Sequence, residues 1–243
     1  MLRQWLGREL GSDSFALAPA SSDASFRRYW RVTHAGGSLI AMDAPPTHED
    51  CGRFADLARR FRAIGLNTPE VHAEDIGQGF LLLSDLGDRL YLAQLTAESA
   101  DALYADAMAA LAIVQQRGPR AGLPLYDGPF LRREMELFRE WLLERHLGLA
   151  LDAAADARFD AVCRLLVESA LEQPRVCVHR DFHSRNLMLT ARDNPGVLDF
   201  QDAVLGPPTY DLVSLLRDCY IAWPEERVTG WALGYRDAAM RLG

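Results

Sequence analysis

Lysine is absent from this 243-residue chain, so all 26 basic side chains are arginine. A GC-rich coding bias explains such a composition, and its chemical effect is that every fixed side-chain cation is a guanidinium. Cysteine is sparse. Cys51, Cys163, Cys177 and Cys219 are scattered with no C-x-x-C pair, which argues against a zinc site and for reduced, mostly buried thiols. No apolar run approaches the length of a membrane span. Residues 1–15 lack a basic segment followed by an apolar stretch, so a cytoplasmic location is expected. Positive charge is in deficit, with a formal net charge of −8, which argues against a nucleic-acid surface. Hydrophobic content of 49% and charged content of 25% are those of a soluble globular protein, long enough for a real core in one large domain or two lobes. No sequence feature specifies an oligomeric state.

Against these absences stands one dense motif. Residues 179–186 read His-Arg-Asp-Phe-His-Ser-Arg-Asn, and a second aspartate follows in Val197-Leu198-Asp199-Phe200. Phosphoryl transfer needs a carboxylate to accept the proton of the attacking hydroxyl and, further along the loop, an amide oxygen that can ligate magnesium. Asp181 and Asn186 have that spacing. Leu187 to Thr190 is strand-like, and Asp193, Asn194, Pro195 and Gly196 form a turn signal, so a hairpin is predicted. Its return strand, Val197 to Phe200, would carry Asp199 back beside Asn186. The competing reading is a charged surface loop in which these residues only cap turns.

Along the rest of the chain, Leu2 to Leu10 has the spacing of a short amphipathic helix. Phe26 to Val32 and Ser38 to Met42 read as strands joined at Ala35-Gly36-Gly37. The segment Ser21 to Ser25 before them is small and polar, so its backbone could approach a phosphate, although it lacks G-x-G-x-x-G. Beyond Pro45-Pro46 the spacing predicts a helix over 49–63, then strands at Val71 to Ala73 and Phe80 to Leu83. Residues 85–88 are expected to form a hinge between an N-lobe, residues 1–84, and a C-lobe, residues 89–243. Three helices are predicted after it, at Leu95 to Gln116, Phe130 to Leu147 and Phe159 to Leu171, followed by the catalytic hairpin.

A small β lobe, a hinge, helices and then His179 to Asn186 with Leu198-Asp199-Phe200 resembles the aminoglycoside and choline phosphotransferase branch of the protein-kinase-like fold. The fold class this implies is α+β and bilobal, with a small antiparallel β N-lobe and a mainly helical C-lobe. Within the branch, Ala24-Ser25-Phe26-Arg27-Arg28-Tyr29-Trp30-Arg31, Ala41-Met42-Asp43-Ala44-Pro45-Pro46 and Phe200-Gln201-Asp202-Ala203 through Pro207-Pro208-Thr209-Tyr210-Asp211-Leu212 resemble the bacterial amino-sugar kinases of cell-wall recycling. These phosphorylate the anomeric hydroxyl of N-acetylmuramate and N-acetylglucosamine. The resemblance implies ATP and Mg²⁺ as cofactors, Asp181 as base, Asn186 and Asp199 as metal ligands, and His179 and Asp211 as supports of the catalytic loop. A helix N-cap is the other reading of Asp211. Alternatives for the whole chain are a kinase for another small alcohol, an aminoglycoside or choline, and a nucleotide-binding module without turnover.

One position departs from the wider family. Met42 stands where a strand lysine would hold the nucleotide phosphates, and a thioether cannot neutralise phosphate. Asp56, on the next helix, is where that lysine's acidic partner would lie. Arg27 or Arg28 is the expected replacement, since guanidinium binds phosphate oxygens bidentately, and strand alternation lets only one of them face the nucleotide. Other expected nucleotide contacts are Ser25 and the peptide units of Asp85 and Leu86. Expected sugar contacts are His183, Arg185, Asp202, Glu134, Trp141, Asp218 and Trp223, a mixture of charged and aromatic groups. His183 could instead satisfy the loop backbone. The chain also ends sooner after Asp199 than relatives commonly do, which points to a shortened C-terminus.

Overall fold

The computed structural model describes residues 1–22 and 26–242. Five antiparallel strands form the first half: β1 (Ala16–Ser22), β2 (Arg28–His34), β3 (Gly37–Asp43), β4 (Val71–Asp75) and β5 (Phe80–Ser84), in the order β1-β2-β3-β5-β4. The tight turn at Gly37, with φ 127°, closes β2 onto β3 in the predicted hairpin. β5 lies between β3 and β4 and is covered on both faces, which is why it reads as a continuous apolar run. Phe80 and Leu82 meet Trp5 and Leu6 of helix α1 (Leu2–Leu10) on one face. Leu81 and Leu83 meet Phe54, Leu57 and Phe61 of helix α2 (Cys51–Ala63) on the other. Met42 joins that second core and is 1% exposed. α2 starts where Asp50 accepts the Arg53 amide hydrogen, a side-chain cap the sequence places just ahead of the apolar periodicity.

The second half is mainly helical. The helix predicted over Leu95 to Gln116 is α4 (Ala100–Arg117), which starts five residues later than expected, and a single turn, α3 (Tyr91–Gln94), lies ahead of the predicted range. Thr96 and Ser99 break them apart by reciprocal side-chain to amide hydrogen bonds of 2.8 and 3.2 Å, which favour a fresh helix start. α5 (Gly128–Leu137), capped by Asp127, runs into a π-helical stretch, Phe138–His146, and α6 spans Ala153–Leu171 from its Asp152 cap. Strand β6 (Val176–Val178) leads into the 179–186 loop. The hairpin that follows is β7 (Leu187–Met188) and β8 (Gly196–Val197), with Leu187 opposite Val197. β9 (Val204–Gly206) returns to pair with β6, and α7 (Thr209–Leu216) and α8 (Glu225–Leu242) close the chain's described part. Among the described residues no helix is long and apolar enough to cross a membrane.

Candidate active site

The 179–186 loop emerges from the core between β6 and β7 and is held by two buried carboxylates. Asp211 accepts the amide hydrogens of His179 at 2.7 Å and Arg180 at 2.9 Å. It lies in the first turn of α7, whose cap position is Pro208, so its carboxylate serves the loop and not its own helix. Asp218 accepts from the Ser184 amide at 2.9 Å and from the Tyr220 amide at 2.8 Å. Between the two anchors Arg180 takes a left-handed conformation, φ 81°, a strained backbone that needs such bracing. Burial pushes the Asp211 carboxyl up to about 7, against the two amide donors, and pushes the His179 imidazole down to about 4.

Asp181 sits between these anchors. Its pKa is raised by burial first and then by the charge of Asp199, with Arg180 opposing. Asn186 donates from Nδ2 to the Asp181 carbonyl at 3.0 Å and lies 3.4 Å from Asp199 Oδ2. Asp199 is itself left-handed, φ 61°, and its Oδ1 accepts from Gln201 Nε2 at 2.8 Å. Asp199 thus accepts on both oxygens, from Gln201 and Arg27 at Oδ1 and from Asn186 at Oδ2. Each carboxylate oxygen keeps a further lone pair, so Asp199 and the Asn186 amide oxygen offer hard oxygen ligands, a donor set that suits Mg²⁺, which takes one or two protein ligands and completes its shell with phosphate and water. Among the described residues no group of three His, Cys, Asp or Glu side chains forms a closed metal site.

On the β-sheet side, Arg27 turns inward. Its Nε donates to Glu49 at 2.9 Å and its Nη1 lies 3.5 Å from Asp199 Oδ1, with the side chain 10% exposed. Arg28 points outward and is exposed. Burial works against the Arg27 charge, but Tyr29 and Glu49 hold its pKa above the usual range. The acids facing this cation are therefore Glu49 and, at longer range, Asp199. Asp56 instead pairs with Arg60 at 3.1 Å on the outer face of α2, and the expectation that it occupies the acidic partner's place is corrected. Arg53 donates to the carbonyls of Gln201 at 2.7 Å and Ala203 at 3.2 Å, tying α2 to the segment after Asp199. Arg27, Met42, Glu49, Arg53, Gln201 and Asp202 line a cavity of about 200 Å³ beneath this side.

The remaining expected contacts divide. Asp85 accepts from Arg31 at 2.7 Å, from Ser38 and from the Gly87 amide; against burial, Arg31 and Ser38 hold its carboxyl below the usual range. It shapes the segment that ends in Leu86 and Gly87. Glu134 pairs with Arg180 at 3.0 Å, which puts α5 beside the catalytic loop. Trp141 is exposed on the π-helical stretch with Arg145 over its ring, and Asp202 is exposed beside Gln201. Two of the expected contacts have other partners. Asp218 is 7% exposed and spends both oxygens on backbone amides, so it braces the loop and is not free for sugar. Trp223 donates to the Tyr104 hydroxyl at 2.9 Å and packs edge-on against Trp231, joining α4 to α8. Ser25 lies outside the described residues. Sequence reasoning missed Glu49, Arg53, Gln201 and Tyr220; only Glu49, one residue ahead of the α2 cap, carried a usable signal.

The model of the phosphotransferase enzyme family matches residues 16–241. The chain belongs to this family. Among its relatives, the phosphotransferase is 49% identical over 228 residues to an N-acetylmuramate/N-acetylglucosamine kinase of Pseudomonas putida, covering 94% of this chain and 67% of that protein. It is 52% identical over 212 residues to one of Pseudomonas aeruginosa, covering 87% and 62%. The chain thus spans about two thirds of the length of these curated relatives. In three dimensions it is similar to an ADP-bound aminoglycoside phosphotransferase, APH(2'')-Ib, with a TM-score of 0.67 at 17% identity over 99% of this chain and 84% of that one. At that identity the likeness shows the fold, the α+β arrangement described above.

Proposed function

We propose that this phosphotransferase moves the γ-phosphoryl group of ATP to the anomeric hydroxyl of N-acetylmuramate or N-acetylglucosamine, in the recycling of peptidoglycan sugars. The observation that carries this reading is the 49% identity, over 94% of the chain, to a relative named for those two sugars. The site geometry supplies the chemistry. Asp181 accepts the hydroxyl proton as the sugar oxygen attacks phosphorus, and its placement by the Asp211 and Asp218 anchors matters more than its basicity. Mg²⁺, held by Asn186 and Asp199, would offset charge on the phosphate oxygens. Arg27, steadied by Glu49, takes the phosphate-binding part that lysine plays elsewhere in the wider family. The Asp85 to Leu86 backbone is assigned to adenine and the acceptor to the open face of the 179–186 loop. The 85–88 segment acts as the hinge between the two lobes. A cytoplasmic location goes with ATP as donor.

The test is incubation of the protein with Mg·ATP and either sugar, following anomeric phosphate by ³¹P NMR, with kanamycin and choline in parallel. Sugar 1-phosphate is expected, with the rate falling roughly 10²- to 10⁴-fold in Asp181→Asn. Product from kanamycin or choline alone would reassign the acceptor.

A further inference from the structure

Buried and open side chains alternate along the catalytic loop. Phe182 and Ser184 are completely buried, whereas Asp181, His183 and Arg185 share the open side. Arg185 is held there by a ring. Its guanidinium lies 4.8 Å over Tyr220, and the same ring meets His183 edge-on at 5.5 Å. Tyr220 is pinned to the loop in turn, since its amide and that of Ser184 share the Asp218 carboxylate. The cation is therefore oriented without being neutralised.

The other arginines around the cleft are already engaged. Arg27 pairs with Glu49, Arg31 with Asp85 and Arg180 with Glu134, and Arg53 serves two backbone carbonyls. Among the described residues Arg185 has no carboxylate within ion-pair distance. The rest of the open side is acidic, with Asp181, Asp199 and Asp202 near one another, so an anionic acceptor would be repelled unless a cation received it. The two sugars named above differ in this respect: N-acetylmuramate carries a lactyl ether that ends in a carboxylate, and N-acetylglucosamine does not.

Building on the amino-sugar kinase reading, we propose that Arg185 binds the lactyl carboxylate of the acceptor and thereby sets the preference for the acidic over the neutral amino sugar. A guanidinium fork matches a carboxylate in shape as well as charge, and the Tyr220 ring limits the rotamers that must be frozen on binding. The role is one of specificity, exerted two residues beyond His183 and next to the metal-binding Asn186.

The experiment measures kcat/KM for both sugars in the wild type, Arg185→Gln and Arg185→Lys, together with the methyl ester of the N-acetylmuramate carboxylate. In Arg185→Gln the ratio of acidic to neutral sugar is expected to fall about 10- to 100-fold, as for a lost charge-assisted hydrogen bond, with partial recovery in Arg185→Lys. The ester should show a comparable loss with the wild type and no further loss with Arg185→Gln. An equal loss for both sugars would assign Arg185 to phosphate or loop structure and overturn the inference, as would an unchanged ratio. Wild-type protein inactive on both sugars would overturn the kinase reading and this inference with it; wild-type turnover with an unaltered ratio overturns the inference alone.

Discussion

On the catalytic-loop side of the cleft, Asp181, Asn186 and Asp199 come from one hairpin, closed by short-range pairing of Leu187 with Val197. On the sheet side, Arg27 reaches Glu49 across 22 residues and Asp199 across 172. The first arrangement is a local consequence of turn chemistry and strand pairing. The second exists only when the sheet, α2 and the post-Asp199 segment have all been assembled, and Arg53 is the side chain that fastens two of them together. The difference teaches that the half of the site proposed to accept the proton is set by sequence spacing, while the half proposed to bind phosphate is set by tertiary structure. Met42 packs in the core, and Arg27 is the cation on this side of the cleft.

Changes on the local side should cost most. Asp181→Asn, as stated above, removes the proposed proton acceptor. Next comes its support: Asp218→Asn leaves one of two buried amides facing a donor, so a loss of about 1–3 kcal/mol in stability is expected. With the loop displaced, kcat should fall about tenfold or more while KM for ATP holds, because orientation and not nucleotide binding is affected. Denaturant titration with steady-state kinetics separates the two. A shift in KM for the sugar alone would mean that Asp218 touches the acceptor after all.

The buried pair at the loop's base gives a pH test with opposing signs. His179 has its pKa lowered to about 4 from the ordinary 6.5, so its contribution to stability is present above pH 6.5 and lost as pH falls toward 4. Asp211 is raised to about 7 from 3.8, so its contribution is present below pH 3.8 and lost as pH rises through about 7. Between pH 6.5 and 4 the two offset one another. Replacing His179→Leu removes one arm, and the stability of the variant relative to the wild type should rise by about 3 kcal/mol as pH falls across that window. Chemical denaturation at several pH values reads this directly, and parallel curves would contradict it.

The smallest effect sharpens the contrast on the sheet side. Asp56→Asn breaks only an exposed i,i+4 pair with Arg60. It should change stability by less than about 0.5 kcal/mol and leave KM for ATP alone, unlike any change at Glu49.

What could be read from the chain follows the same division. The β2–β3 hairpin, α2, β5 and the 187–197 hairpin announce themselves through glycine turns, caps and apolar periodicity. β1 does not, because Ala16 to Ser22 contains Pro19 and small residues of low strand propensity, and it is held at the sheet edge by pairing with β2. The start of α4 at Ala100 and not at Leu95 is hidden from apolar periodicity, since its cause is the pair of hydroxyls on Thr96 and Ser99. Alternation alone leaves Arg27 and Arg28 equivalent, and only the position of Glu49 at the start of α2 decides between them. Trp223 and Asp218 share an ambiguity: an aromatic ring and a carboxylate near a motif suit a sugar as well as they suit a packing role, and only the structure shows Asp218 bonded to two amides and Trp223 to Tyr104.

Arg27 carries the phosphate-binding role proposed for the sheet side. Measuring kcat and KM for ATP in Arg27→Met and Arg27→Lys, beside the wild type, tests whether this side chain carries the phosphate charge. Arg27→Met is expected to lower kcat/KM for ATP about 100-fold, with Arg27→Lys recovering part of it and the sugar KM nearly constant. Wild-type kinetics in Arg27→Met would contradict the account and move the phosphate contact elsewhere in the cleft.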